Sequence, residues 1–410
     1  MRIRTFKGFV PAVNHVSEVA SVPYNVVNRQ EALALVSDKP LSMLHVDRAE
    51  IGLAEEVGPY SAAVYTKARE NFERLQAHGG LVRENKPTMY LYRQQIGGHC
   101  QTGLVTLCHT QDYEKGIIKK HSKTQQVEED DRTQLLDRLD ANISPVTLAY
   151  RQRAGISALI DGFIRSEKPI NDFTAVDGVR HQVWRLSLSL CVSLTSLFDS
   201  QVTSAYVTDG HHRAMSALRV SHLRRKANPK HDGSEDYNWF LCALFPADEL
   251  KILPYNRAVK DLNGFTREQF IQKVEEIFVV KETMLKSPFR PRQCCMYLAD
   301  QWFELTWQPA KNASIISDLD ISVLQNRLLK PILGIDDPRT SKRIDFIPGS
   351  RGNSELEKLV NAKEHKVAFS LYPPAIDDIM FIADAEQFLP HKSTWLEPKL
   401  RSGLFIHTLG

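Results

Sequence analysis

Residues 206–220 read YVTDGHHRAMSALRV. A short β-branched strand runs into Asp209-Gly210, and Ala214, Met215, Ala217 and Leu218 then favour a helix. The reading predicts strand, tight turn and helix, so His211, His212 and Arg213 fall on the helix N-terminus. Such a terminus presents unpaired backbone N–H groups and partial positive charge. It is poor company for three cation-capable side chains unless an anion sits there. Phosphate is the natural anion. Gly210 permits close backbone approach, Arg213 offers a two-pronged donor, and the histidines donate hydrogen bonds or move protons. The stretch points to a phosphate or nucleotide site. A competing structural reading makes Asp209 the N-cap and has the histidines cap neighbouring strands.

The surroundings alternate strand and helix signals, the pattern of an α/β (α+β) protein. TSAYVT and WFLCALF read as buried strands, and HQVWRLSLSL as another. Between the first two, residues 221–238 (SHLRRKANPKHDGSEDYN) read as a surface loop after a helix, with Arg224, Arg225, Lys226 and Lys230 solvated on it. Upstream, Val64, Ala68, Phe72 and Leu75 recur at helical spacing over Ser61 to Ala77, and Gly79-Gly80 supply the stop. TMYLYRQQ and HCQTGLVTL flank Gly97-Gly98 as a hairpin. Downstream, Thr266-x-x-Gln269 is a capping box opening a helix through Phe270, Ile271, Val274, Ile277 and Phe278. From about residue 312 onward SELEKLV, the apolar strand VAFSLY and a helix after Pro373-Pro374 make an α+β terminal portion.

Two further clusters are candidates to join the site. Residues 119–123 (KKHSK) precede an amphipathic helix marked by Leu135, Leu136 and Leu139, with Glu128 to Asp131 in its expected first turn. Acidic groups there suit the helix dipole, but the basic cluster is left unexplained. Lys120, His121 and Thr124, followed by Asp131 and Arg132, combine the cations, hydroxyl and carboxylate that phosphoryl transfer needs. Pro254-Tyr255-Asn256-Arg257, after the strand-like LKIL, puts Tyr255 and Arg257 at a strand end or in an ordinary turn. Adjacent His211 and His212 lack the spacing zinc prefers. Mg2+ needs only one or two carboxylates plus phosphate oxygens, and Asp209 or Asp131 are the candidates. Residues 336–352 and 391–403 are basic, hydroxyl-rich loops that either hold anions or form turns and salt bridges.

Composition bounds the answer. The 410 residues exceed what one small core fills, and favour two domains or one elaborated α/β unit. Net charge is 52 − 49 = +3, too small to announce a nucleic-acid protein, so direct nucleic-acid binding is disfavoured and any polyanion contact must be local. The six scattered cysteines form no C-x-x-C pair, arguing against zinc modules and disulfide scaffolds and for a reducing, cytoplasmic setting. Leu186 to Phe198 is the best candidate for a membrane segment. At 13 residues, with serines in it, it is too short to span a bilayer, so no membrane role is expected. The chain lacks a Walker loop, G-x-G-x-x-G, G-x-S-x-G and H-E-x-x-H, which removes support for common NTPases, dehydrogenases, hydrolases and zincins.

The chain resembles the bacterial and archaeal family catalogued as domain of unknown function 1015. The residues that carry this are PYNVVN (23–28), KKHSKT with EEDDR (119–132), ISPVTLAY (143–150), TDGHHRAMSAL (208–218), LPYNRAV (253–259), LQNRLLKPILGIDDPRTSKRIDF (324–346) and KSTWLEPKLRSGLF (392–405). Its D-G-H-H-R box is similar to the phosphate-binding box of ParB/sulfiredoxin-like nucleotide-binding domains. The resemblance implies a ParB/sulfiredoxin-like mixed-sheet core over residues 1–265, with a C-terminal portion, 266–410, packing on it. It also implies a phosphotransferase using ATP or ADP with Mg2+ and making O-phosphoserine from free L-serine. The alternatives are a non-enzymatic nucleotide-binding regulator and a phosphoester hydrolase using the same pocket. On this reading Asp209, His211, His212 and His121 are catalytic candidates, Gly210, Arg213, Lys120, Thr124, Arg132, Tyr255 and Arg257 hold a phosphate-bearing small molecule, and Asp131 holds metal. Three positions depart from the family pattern: Ser122 replaces the glutamate of K-H-E-x-T, Asn25 the aspartate of P-Y-D-V, and Asn256 the histidine of P-Y-H-R. A serine cannot act as the general base a glutamate would supply, so Asp209 or His121 would have to serve.

Overall fold

The computed structural model of the chain describes residues 1–311 and 314–410. It divides into two compact units, Met1–Leu250 with Pro398–Gly410, and Lys251–Glu397. The sequence expectation drew its boundary at 265 and left the last residues in the second portion. Pro398–Gly410 instead belong to the first unit, because Leu400, Leu404 and Phe405 fill one of its cores.

The first unit is a mixed nine-stranded sheet with helices. In chain order the strands are β1 (Ile3–Arg4), β2 (Tyr90–Ile96), β3 (His99–His109), β4 (Ile118–Lys119), β5 (Val146–Tyr150), β6 (Asn171–Thr174), β7 (Arg180–Arg185), β8 (Ala205–Asp209) and β9 (Trp239–Pro246). They lie in the order β4-β8-β5-β9-β3-β2-β7-β6, with β1 beside β3. The hairpin expected around Gly97-Gly98 is β2 and β3, paired from Tyr90 opposite Val105 to Ile96 opposite His99. Central strand β9 shows why its sequence is nearly continuous apolar residues. Phe240, Cys242 and Leu244 enter one core while Leu241, Ala243 and Phe245 enter another, so both faces are covered.

The helices that matter are α1 (Ala62–Ala77), α2 (Gln126–Leu139), α3 (Ala154–Ser166), α4 (Leu188–Gln201) and α5 (His211–Ala227). Ile156 and Ile160 of α3, Leu194 and Phe198 of α4, and Ala214, Ala217 and Val220 of α5 share one core with Leu104, Leu148 and Val207 of the sheet. Two expectations are corrected. The strand read through HQVWRLSLSL stops at Arg185, and the serine-rich remainder is the start of α4, where Ser187 Oγ accepts from the Leu190 N–H. The loop read over 221–238 begins later, because α5 continues through HLRRKA to Ala227. Its charges are not solvated in isolation: Arg224 pairs with Asp137 at 3.0 Å and with Asp140, while Arg219 pairs with Asp130 at 2.6 Å, fastening α5 to α2.

The second unit holds a six-stranded antiparallel sheet in the order 279–283, 301–306, 293–298, 367–371, 255–259, 344–348. Val367 and Phe369 face a core shared with Phe270 and Val274, and Ala368 faces Leu356 and Val360. The capping box at Thr266 and Gln269 opens helix Arg267–Glu275, as the sequence predicts. Among the described residues, no helix is long and apolar enough to cross a membrane.

Candidate functional site

Strand β8 pairs in parallel with β4 and antiparallel with β5. The parallel pair explains the basic cluster left over by the sequence: Lys119 lies opposite Tyr206, which brings 119–123 alongside the end of β8. Against β5 the register slips, with Val207 opposite Leu148 but Asp209 opposite Thr147. A bulge of this kind re-aims the residues after it, and those residues are Asp209 and Gly210.

Gly210 is the N-cap of α5, at φ +93°, a left-handed conformation that glycine adopts at little cost. A Cβ there would lie 2.8 to 2.9 Å from the Arg213 guanidinium, so the glycine also makes room for that group. Among the described residues no side chain caps α5, and no acid sits in its first turn. Asp209 is therefore not the N-cap that the structural reading proposed. Its carboxylate instead takes two cations, Arg213 Nη2 at 2.6 Å and Lys399 Nζ at 2.7 Å. Burial alone would raise its pKa, but Lys399 and Arg213 overcome this and hold it at about 2. The other guanidinium nitrogen, Nη1, donates to Ser144 Oγ at 2.8 Å and to the Pro145 carbonyl. Two partly buried cations thus share one carboxylate.

The histidines divide by role. His212 Nε2 accepts from the Gln125 N–H at 3.1 Å, which leaves the proton on Nδ1, 2.9 Å from Glu128. It ties α5 to the start of α2. His121 and His211 meet edge to face with ring centres 4.6 Å apart. Among the described residues, His121 Nδ1 and His211 Nε2 are both buried with no partner. A neutral imidazole has one N–H and one lone pair, so an unpartnered buried Nδ1 is free to meet a ligand as donor or acceptor. Burial pushes His121 down to about 4, and burial with His121 alongside pushes His211 well below its usual 6.5.

The other predicted residues are placed as follows. Lys120 is exposed, its Nζ 5.7 Å from the Tyr113 ring, and its charge bears on His211. Thr124 Oγ1 donates to Glu129 on α2. Asp131 accepts from Tyr65 Oη at 3.0 Å and from Arg132 at 2.7 Å. Arg132 also pairs with Asp47 at 3.0 Å and stacks on Tyr24, 3.9 Å from its ring centre. Burial lifts the Tyr24 phenol to about 12 against the pull of Arg132 and Arg213. Beside these groups opens a cavity of about 50 Å3, polar at Tyr24, Arg132, Ser144 and Arg213 and apolar at Leu135 and Phe240. Ser122 donates to the Lys123 carbonyl at 3.4 Å.

Mg2+ does not fit at Asp131 in this arrangement, because both carboxylate oxygens already accept from neighbours and Arg132 neutralises the charge. Asp209 is engaged in the same way, and among the described residues no group of three His, Cys, Asp or Glu is arranged to hold a metal.

Tyr255 and Arg257 belong to the second unit. They are not a turn after LKIL but part of strand Tyr255–Val259. Arg257 is buried, its pKa lowered to about 9 by burial, and its nitrogens donate to the carbonyls of Tyr255, Asn256, His391 and Lys392. Its hydrogen bonds go to its own unit's backbone. The basic stretch 336–352 is not one loop, since Ile344–Pro348 form a strand, and its arginines are paired, Arg339 with Asp337 at 2.7 Å and Arg343 with Asp261.

Lys399, Ser144, Tyr24 and Asp47 were missed as site residues. Tyr24, Ser144 and Lys399 lie within PYNVVN, ISPVTLAY and KSTWLEPKLRSGLF, so the blocks carrying the family resemblance held the only signal.

No curated protein matches the chain. Three solved structures are similar at low identity: a free serine kinase in complex with AMP (11% identity, 73% of this chain and 91% of that one, TM-score 0.37), a conserved hypothetical protein from Pyrococcus furiosus (11%, 73% and 94%, 0.37), and C-terminally truncated SbnI from Staphylococcus aureus (11%, 74% and 87%, 0.38). Superpositions this loose carry no functional inference. Residues 3–322, more than half of the chain, match the model of the family described as protein of unknown function (DUF1015), and the chain belongs to that family.

Proposed function

We propose that the first unit binds the phosphates of ATP or ADP at the start of α5 and passes a phosphoryl group to the hydroxyl of a small amino acid, free L-serine. The observation that carries the reading is the orphaned pair, His121 Nδ1 and His211 Nε2, buried without partners among the described residues beside a helix start that none of their side chains caps. Phosphate oxygens would accept from the backbone N–H groups of that first turn, with Arg213 and Lys399 supplying charge in place of Asp209. His211 would turn its N–H to a phosphate oxygen.

The bare Nδ1 of His121 fits the remaining role. A histidine held at about 4 has the base strength of an ordinary glutamate, near 4.3, and stands one residue from Ser122, where the family glutamate is missing. In the transfer the acceptor oxygen bonds to the terminal phosphorus, the bridging P–O bond breaks, ADP or AMP leaves, and the hydroxyl proton passes to His121 Nδ1. Mg2+ carried on the nucleotide would neutralise phosphate oxygens. No residue of the chain is assigned to it. The choice of nucleotide and serine rests on the resemblance of the D-G-H-H-R box, and the ParB/sulfiredoxin-like core and cytoplasmic setting belong to the same proposal. The absent glutamate favours a second reading, a nucleotide-binding regulator without turnover.

Phosphorus NMR of the protein with ATP or ADP, Mg2+ and L-serine tests this. O-phosphoserine should accumulate and should vanish in Arg213→Ala. Nucleotide binding without turnover supports the regulator, and phosphate release from phosphoserine alone supports hydrolysis. Nucleotide binding unchanged in Arg213→Ala overturns the site.

A further inference from the structure

The second unit has its own cavity, about 380 Å3, lined by Pro291, Arg292, Asp318, Asp320, Tyr372 and Asp378 among others. It is of the size that small-molecule ligands occupy. Asp320 is 6% exposed. Its Oδ1 accepts from the Arg292 N–H at 2.9 Å, while among the described residues its Oδ2 is buried with no donor. An ionised carboxylate oxygen buried without a donor is costly, and chains remove such costs unless something else meets them. The backbone that serves Oδ1 is itself strained: Arg292 sits at φ +62°, unusual for an arginine. The charges facing the cavity do not balance. Arg292 pairs with Asp318 at 2.6 Å and its charge bears on Asp320 as well, while Asp378 accepts from the Ala375 N–H at 3.3 Å, so among the described residues lining the cavity one cation faces three carboxylates. Among the described residues these carboxylates are not grouped so as to hold a metal. The proline and tyrosine walls suit an organic ligand.

We propose that this cavity is a binding site for a small organic ammonium, with Asp320 Oδ2 accepting from its N–H groups. The cavity belongs to the second unit, and the proposal stands or falls without the phosphate site. The carboxyl is raised to about 6, by burial first, against the hydrogen bonds from Arg292 and Gln293 and with Asp318 adding to the rise. It is a group that an arriving cation would return toward the usual carboxylate range.

Calorimetric titration of the full chain with n-butylamine and 1,4-diaminobutane, with acetate as the anionic control, tests the site. Saturable binding of the amines but not of acetate is expected, weakened at least about tenfold in Asp320→Asn through loss of the charged pair. That variant should melt no lower than the parent, since it removes an uncompensated buried charge. Amines bound equally by the variant, or not bound saturably by the parent, overturn the proposal. Carboxyl-labelled aspartate NMR on the unaltered chain is independent of whether the variant folds. Saturating amine should lower the Asp320 titration midpoint, and a midpoint that does not move overturns the site.

Discussion

Lys399 Nζ lies 2.7 Å from Asp209 Oδ1, joining residues 190 apart in sequence. The contact completes a cluster in which one carboxylate restrains two cations, Lys399 and Arg213, each at most 14% exposed at the side chain. An arriving phosphate would compete with Asp209 for both. Lys399→Met should therefore weaken inorganic phosphate and ADP binding by about tenfold, the cost of one charge-assisted hydrogen bond. It should also let the Asp209 carboxyl titrate above about 2, since Lys399 is the first opposing charge holding it down. Isothermal titration and carboxyl NMR check the two outcomes.

Arg213→Ala removes bonds to Asp209, Ser144 and the Pro145 carbonyl together. Loss of charged hydrogen bonds from a largely buried group should lower unfolding free energy by about 2 kcal/mol, measured by urea denaturation, and abolish phosphate binding.

Gly210→Ala places a Cβ against the Arg213 guanidinium from a left-handed backbone. It should cost about 1–2 kcal/mol from the backbone alone and weaken phosphate binding by displacing Arg213. Thermal melts with and without phosphate report both effects.

Acid should destabilise the fold in a defined window. Burial lowers His121, His109 and His407 from 6.5 to about 4. Their folded pKa values lie below the unfolded ones, so unfolding takes up protons between those limits. Stability should be level above pH 6.5, fall as pH drops from 6.5 to 4, and flatten in slope for each histidine removed. Urea unfolding free energies across this range, for the parent and His121→Gln, are the check.

Ser122→Glu restores the family carboxylate beside His121. If His121 has taken over its role, the added base should raise phosphoserine formation by at most about 10-fold, whereas an inactive binder regaining its missing base would gain about 10² or more. Initial rates by phosphorus NMR separate the two.

Local patterns carried much of this architecture. Helix α1, the Gly97-Gly98 hairpin, the Thr266 capping box and strand β8 all follow from periodicity and turn residues a few positions apart. Helix α4 was hidden because LSLSL alternates like a strand, and only the Ser187 cap and burial of Leu194 and Phe198 decide otherwise. Arg224 looked solvated because Asp137 and Asp140, its partners, lie more than 80 residues away. The site divides the same way. Asp209 to Arg213 is a local motif, whereas the pairing of β4 with β8 that sets His121 against His211, and the return of Lys399 to Asp209, are long-range results of folding.

The central claim is that phosphate seats at the start of α5 against His121 and His211. Nitrogen NMR of the imidazole rings during titration with ADP and with inorganic phosphate tests it most directly. The account predicts that the His121 Nδ1 and His211 Nε2 resonances shift together and saturate at the affinity measured by calorimetry, and that neither responds in Arg213→Ala. Saturable ADP binding that leaves both rings unmoved in the unaltered protein would contradict it.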